Sequence, residues 1–237
     1  MNRARSESAP SLAFVLLMAL ISAPHATAQQ TISFPTSDGG TISADLYGDG
    51  EKAVVLVHGG QFNKESWTAQ AKQLVAARYE VLAINLRGYG KSHGPGDSDS
   101  MDAPLHFDVV AAVHYLKSHG AKSVSVIGGS MGGSAAGDAS ILSKPGEIDR
   151  LVLLGAAPNL PADKLKSPIL YIVARNDANE DGLRLPVIRK QYEMSPQPKQ
   201  LIIVDGSAHA QFLFQSDQSE RVMKAILDFL AGKPVPQ

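Results

Sequence analysis

Ser130, Asp177 and His209 are the residues in this chain whose types and spacing could do nucleophilic chemistry. Ser130 stands in Gly128-Gly129-Ser130-Met131-Gly132-Gly133, directly after the β-rich run Val124 to Ile127. Gly-x-Ser-x-Gly at that junction predicts a strand, a sharp turn and a helix, with the serine hydroxyl lifted out at the apex. Side chains at 128 and 132 would collide with the neighbouring strand and helix, so those positions must be nearly bare. A serine hydroxyl is a weak nucleophile near neutral pH and needs a base to take its proton as it attacks. Histidine can accept that proton and return it, and a carboxylate on the far imidazole nitrogen sets the tautomer and stabilises the imidazolium. Asp177 comes just past the apolar run Ile169 to Ala174, and His209 just past Leu201 to Val204. The chain order is therefore Ser, Asp, His, each beyond the end of a predicted strand.

Each assignment has a competitor. Asp177-Ala178-Asn179-Glu180 also fits a helix capping box, and Glu180, Asp181 and Asp205 are the alternative acids. Among the seven histidines, His106, His114 and His119 fall on a predicted helix as surface residues, and His93 lies in a polar loop. His58 begins a turn and is expected to brace it through hydrogen bonds. The acidic loop 94–102 lacks the glycine and glutamate of a calcium loop. Gly88, Gly90 and Gly94 miss dinucleotide spacing by one residue and are followed by Pro95 instead of a helix. No metal or cofactor is expected.

The elements that would position these residues alternate along the chain. Thr31–Pro35 and Thr41–Tyr47 show period-two patterning around Ser37-Asp38-Gly39-Gly40, an antiparallel hairpin. Continuous apolar strands follow at 53–57, 81–84, 124–127, 151–154, 169–174 and 201–204. They alternate with helices expected at 65–79, 104–119, 133–142, 183–194 and 220–231. Asp102 and Pro104 are the expected cap and first turn of the second helix. Strands apolar on both faces and separated by helices predict a mostly parallel, eight-stranded α/β sheet covered on both sides. In such sheets ligands bind beyond the carboxyl ends of the strands, where Ser130, Asp177 and His209 all fall.

Bulk composition narrows the classes. The chain has 237 residues, 44% hydrophobic and 19% charged, with no cysteine, so disulfide frameworks and thiolate metal sites are excluded. Residues 1–28 read as a secretory leader: Arg3 and Arg5, an apolar run from Leu12 to Ile21, then Ala26-Thr27-Ala28 as a cleavage site. Ten apolar residues are too few to span a bilayer, which takes about 20. Residues 29–237 are then expected as one exported domain, periplasmic or extracellular, without stable membrane insertion. Without Arg3, Arg5 and Glu7 it keeps 20 basic and 22 acidic residues. No basic patch stands out, so nucleic acid is not an expected partner. No feature of the sequence sets the oligomeric state.

The order and placement of Gly128-Gly129-Ser130-Met131-Gly132, Asp177 and His209 resemble the α/β-hydrolase fold. His58-Gly59 upstream and Arg87-Gly88-Tyr89-Gly90-Lys91-Ser92 after the next strand add to the likeness, which covers about residues 31–232. The resemblance implies Ser130 as nucleophile, His209 as base and acid, and Asp177 as the orienting carboxylate. It also implies an oxyanion hole built from the Met131 N–H and an N–H just after His58-Gly59, with Gly60 first and Gln61 second. Gln61 departs from the lipase-type His-Gly-Gly-Gly run. Members that open epoxides or displace halide carry aspartate at the elbow, so Ser130 points to acyl transfer. Residues 155–168, where relatives insert a helical lid, are too few to build one. The expected site is open and shallow, without a cap domain, most similar to compact lidless esterases and dienelactone-hydrolase-like members. The expected substrate is a small soluble ester or thioester, or an exposed acyl group on a larger molecule. A serine peptidase or amidase, or a non-catalytic binding protein of the same fold, are the other readings.

Overall fold

The computed structural model describes residues 29–99 and 102–235; the leader read into residues 1–28 lies outside the described residues. In chain order the strands and helices are β1 (Gln30–Pro35), β2 (Thr41–Tyr47), β3 (Lys52–Val57), α1 (Thr68–Ala76), β4 (Tyr79–Ile84), α2 (His106–Ser118), β5 (Ser123–Gly129) and α3 (Met131–Leu142). They continue with β6 (Leu151–Leu154), β7 (Ile169–Ala174), β8 (Ala178–Asn179), β9 (Gly182–Leu183), α4 (Arg184–Met194), β10 (Lys199–Val204) and α5 (Ser219–Leu230). Eight strands form one sheet in the order β1-β2-β4-β3-β5-β6-β7-β10. β1 and β2 pair antiparallel, as does β2 with β4, and the remaining pairs are parallel.

The continuous apolar strands are explained by what covers them. Ala53, Val55 and Val57 of β3 face a core shared with α2 and α3, while Val54 and Leu56 face a second core shared with α1 and α5. β7 divides the same way, Ile169, Tyr171 and Val173 against Leu170, Ile172 and Ala174. Period-two side-chain alternation with helices on both faces buries both sets of side chains, so β3 and β7 read as near-continuous apolar runs.

Two local expectations are corrected and one element is new. The first helix stops at Ala76, not Tyr79, because Arg78 turns left-handed (φ 67°) and Tyr79 is already paired with Lys52 of β3. α2 is not capped by Asp102; it begins at His106 after Leu105, with no side-chain capping bond. The two-stranded ribbon β8–β9 had no sequence signal, its strands being two residues each.

The carboxylate that matters at the start of α2 is Asp108. Its oxygens accept the Arg87 backbone N–H at 2.8 Å and the guanidinium at 2.9 and 2.7 Å. Arg87 also donates to Asp38 at 2.6 and 3.0 Å, holding that carboxyl below its usual pKa. Arg87 and Asp108 are both without solvent exposure. The cluster ties the β1–β2 turn, the loop after β4 and α2 into one frame. Without Asp108 the Arg87 charge is still met by Asp38, but its backbone N–H and Nε lose their buried acceptors, at a cost of about 1–3 kcal/mol. Asp108→Ala should therefore lower the unfolding free energy by about that much in urea titration; a loss under about 1 kcal/mol would mean the pair is not holding the frame.

Candidate active site

β5 runs into Ser130 as the sequence pattern requires. Ser130 has φ 51° and ψ −124°, a conformation L-residues seldom hold, and α3 starts at the next residue. Its N–H donates to Leu154 O (3.0 Å) and its C=O accepts from Ser134 N–H (2.9 Å), so both backbone groups are paired across the turn. A β-carbon at Gly128 would lie 2.5 Å from Gly132 O, and one at Gly132 would strike the His58 carbonyl oxygen. The two flanking glycines are thus demanded by the helix on one side and by the end of β3 on the other.

The other two residues meet this serine. His209 Nε2 lies 2.8 Å from Ser130 Oγ, and His209 Nδ1 lies 2.8 Å from Asp177 Oδ2. Ser130 follows β5, Asp177 follows β7 and His209 follows β10, which lies three sheet positions from β5. At about 4.8 Å per strand the β10 loop must reach back roughly 14 Å. It does so with Gly206 at φ 93° and Ala210 at φ 50°. β6 lies between β5 and β7, and the residue that follows it is Gly155, with φ 58°. A β-carbon there would sit 2.9 Å from Asp177 Oδ2 and 3.0 Å from both His209 Nδ1 and the Ala210 backbone nitrogen. Sequence reasoning missed Gly155; its place immediately after a central strand was the available signal.

Asp177 is fully buried and starts no helix, since Ala178–Asn179 is a ribbon strand, so the capping-box reading falls away. Its second oxygen faces Arg184, whose Nε is 3.3 Å away without hydrogen-bond alignment. The Arg184 N–H donates to the Asp177 carbonyl at 2.9 Å, closing the ribbon on itself. The alternative acids stand apart. Glu180 and Asp181 are exposed at the ribbon turn, and Asp205 pairs with Arg175 in solvent.

The loop after β3 is held from three sides. His58 is buried, with Nδ1 2.9 Å from Gly59 O and Nε2 accepting the Leu86 N–H at 3.1 Å, as its bracing role anticipated. The Gly59 N–H donates to Gln211 Oε1 (2.7 Å), and Gln211 Nε2 donates to Ser66 Oγ (2.6 Å). Ser66 spends its own proton on Asn63 O, so the orientation of the buried Gln211 amide is set. Tyr89 Oη donates to Gly60 O at 2.9 Å. With the Gly59 N–H taken, the N–H groups of Gly60 and Gln61 have no partner among the described residues. A β-carbon on Gly60 would be 4.0 Å from Met131 Sδ, which puts this loop beside the start of α3, where the Met131 N–H has no intrahelical acceptor. Gln211, two residues past His209, was another residue the sequence reading passed over.

Ser130 opens into a cleft of about 590 Å³ whose walls include Leu105, His106, Asp138, Pro158, Leu183 and Arg184. Residues 155–168 carry only one short 3-10 turn, at Ala162–Lys164, and build no lid. The ribbon and the start of α4 contribute Asn179, Asp181, Leu183, Arg184, Val187 and Ile188 to the lining of the cleft.

A family model described as alpha/beta hydrolase fold matches residues 52–213. The chain belongs to that family. Within it, the chain is 30% identical over 153 residues to a non-heme chloroperoxidase of Streptomyces lividans, covering 64% of this chain and 50% of that protein. It is 30% identical over 111 residues to the pimeloyl-[acyl-carrier protein] methyl ester esterase of Cronobacter sakazakii, covering 47% and 39%. The chain spans about half the length of the curated relatives it matches. Among solved α/β-hydrolase structures, the Pyrococcus furiosus esterase Pf2001 superposes with a TM-score of 0.71 at 21% identity, over 87% of this chain and 93% of that one. The Anabaena variabilis dienelactone hydrolase gives 0.69 at 20% identity, over 88% and 99%.

Two outcomes follow from this geometry. Gly155→Ala forces a side chain into the Asp177–His209 contact at a left-handed φ, so its urea midpoint should fall by the equivalent of about 1–3 kcal/mol; wild-type stability would contradict the close approach. Burial holds His58 at a pKa of about 4, against an ordinary 6.5. The unfolded chain takes up that proton between pH 6.5 and 4 while the folded chain does not. Stability from neutral His58 is thus complete above pH 6.5 and lost as pH falls toward 4, by on the order of 3 kcal/mol. His58→Gln should be less stable at pH 7 yet lose less between pH 6.5 and 4.5; parallel slopes would refute the assignment.

Proposed function

We propose that this chain is a serine hydrolase that cleaves carboxylic esters or thioesters through an acyl-enzyme on Ser130. The observation that carries the reading is the unbroken line Ser130 Oγ–His209–Asp177, both links 2.8 Å, with the serine on a strained elbow. In this reading Ser130 Oγ attacks the carbonyl carbon as its proton passes to His209 Nε2. The Met131 N–H and the Gly60 N–H receive the tetrahedral oxyanion, the Gln61 N–H being the other candidate for the second donor. Collapse expels the alcohol or thiol, which takes the proton from Nε2. Water then attacks the acyl-enzyme by the reverse proton path and Ser130 is restored. Asp177 holds the Nδ1–H and stabilises the imidazolium throughout.

The steps call for no metal or cofactor. A substrate reaching an uncapped cleft fits a small ester, a thioester, or an acyl group displayed on a larger molecule. The names of the Cronobacter and Pyrococcus proteins, both esterases, lean the same way. With residues 1–28 read as a leader, the reaction is placed outside the cytoplasm by residues 29–237 acting as one domain.

Fluorophosphonate should label wild type and not Ser130→Ala, and p-nitrophenyl ester turnover should fall by about 10³-fold or more in that variant, the scale of losing an activated nucleophile. Labelling that survives Ser130→Ala would remove the assignment. Amide turnover without ester turnover would turn the reading to a peptidase, and a folded but unlabelled wild type to a binding protein.

A further inference from the structure

The cleft that opens from Ser130 sets two exposed aliphatic side chains beside the exposed polar residues Asn159, Asn179 and Asp181. Among the described residues Leu183 and Val187 are 51% and 63% exposed, and both line this cleft. Leu183 ends β9 in extended conformation and Val187 lies in the first turn of α4, and the two meet as neighbouring parts of one cleft wall. Below them the wall continues with Leu105, Pro158 and Ile188. Large aliphatic side chains left open along a concave site mark a surface awaiting an apolar ligand group.

The charges in the same cleft have an uneven balance. Arg184 lines it, but its guanidinium faces the buried Asp177 carboxylate at 3.3 Å, so that pair is neutral overall. Asp138 and Asp181 also line it, and their recorded partners are uncharged. Asp138 accepts from Asn159 Nδ2 and the Leu160 N–H, both at 2.9 Å; Asp181 accepts from Asn179 Nδ2 at 3.2 Å. His106, on the same wall, is held below its ordinary pKa by burial. Among the described residues that line the cleft, Asp138 and Asp181 form no ion pair, and the cation Arg184 is set against Asp177.

Resting on the serine-hydrolase reading, we propose that the Leu183–Val187 face of the cleft binds a neutral aliphatic chain of the substrate ester, and that Asp138 and Asp181 exclude chains ending in a carboxylate. The substrate class is then a simple aliphatic ester, and not the half-ester of a dicarboxylic acid. Desolvation of each methylene against the rim supplies the gain along a chain series. Like-charge approach in a partly dry cleft supplies the discrimination against the anion.

The test compares p-nitrophenyl acetate, butyrate, hexanoate and octanoate with mono-p-nitrophenyl adipate and suberate. For the neutral series kcat/KM should rise by about fourfold per methylene added until the chain leaves the rim. At equal chain length the carboxylate half-esters should be poorer by about tenfold or more, a gap that 0.5 M salt and Asp181→Asn both narrow. The Leu183→Ser, Val187→Ser double variant should lower the octanoate-to-acetate ratio toward one. A flat chain-length series, or a wild-type preference for the half-esters, would overturn the proposal while leaving Ser130-dependent turnover in place. Calorimetry of Ser130→Ala with methyl octanoate and monomethyl suberate reads the same preference without chemistry. Tighter binding of the neutral ester there, with no turnover by wild type, would sink the acyl-enzyme mechanism and keep the cleft assignment; equal or tighter binding of the half-ester would overturn the cleft assignment itself.

Discussion

The site depends on a space that one side chain would fill. Gly155 lies at the end of β6, directly between the strand that carries Ser130 and the strand that leads to Asp177. The His209 imidazole and the Asp177 carboxylate occupy the volume its β-carbon would take. The geometry follows from sheet spacing. Adjacent parallel strands stand about 4.8 Å apart, so groups on β5, β7 and β10 can meet only by crossing over β6. The strand crossed must therefore end in something small, in a backbone conformation glycine holds at little cost.

Around that crossing the chain holds its loops with buried polar groups in place of a cap. Gln211 links the His209 segment to Gly59 and Ser66, so the base and the loop after β3 are tied through one buried amide. Arg87 links the loop after β4 to α2 and to the β1–β2 turn through Asp108 and Asp38. Such groups are costly to leave unpaired, and this gives the loops at the carboxyl edge a single arrangement. Arg184 extends the same logic to the cleft: it balances the charge of Asp177 and closes the β8–β9 ribbon that lines it.

Ser130, Asp177 and His209 could be found in the sequence because each stands just past an apolar strand run, and the fold gathers such positions at one edge. Six of the eight strands could be found because burial on both faces writes itself as apolar runs, and β1 and β2 because they alternate at period two. Gln211 and Arg184 could not, and Gly155 offered only its place after a central strand. Gly155 looks like any turn glycine until its neighbours across the sheet are known. Gln211 and Arg184 carry no local pattern, because their partners, Gly59 and Asp177, are fixed by strand order and ribbon closure. The ribbon strands are too short for any periodicity, and Asp102 had the right residue type for a cap but stands too far upstream of the observed α2 start.

What the sequence determined by itself was the layered α/β architecture and the chemical identity of the reactive groups, because hydrophobic period and residue type are local properties. What the tertiary structure alone decided was distance and surroundings: which acid reaches the imidazole, which N–H groups near Ser130 are already taken, and how the cleft is walled. Those depend on strand order and on loops that reach across it, and contacts between residues tens to more than a hundred positions apart leave no mark in either partner's local sequence.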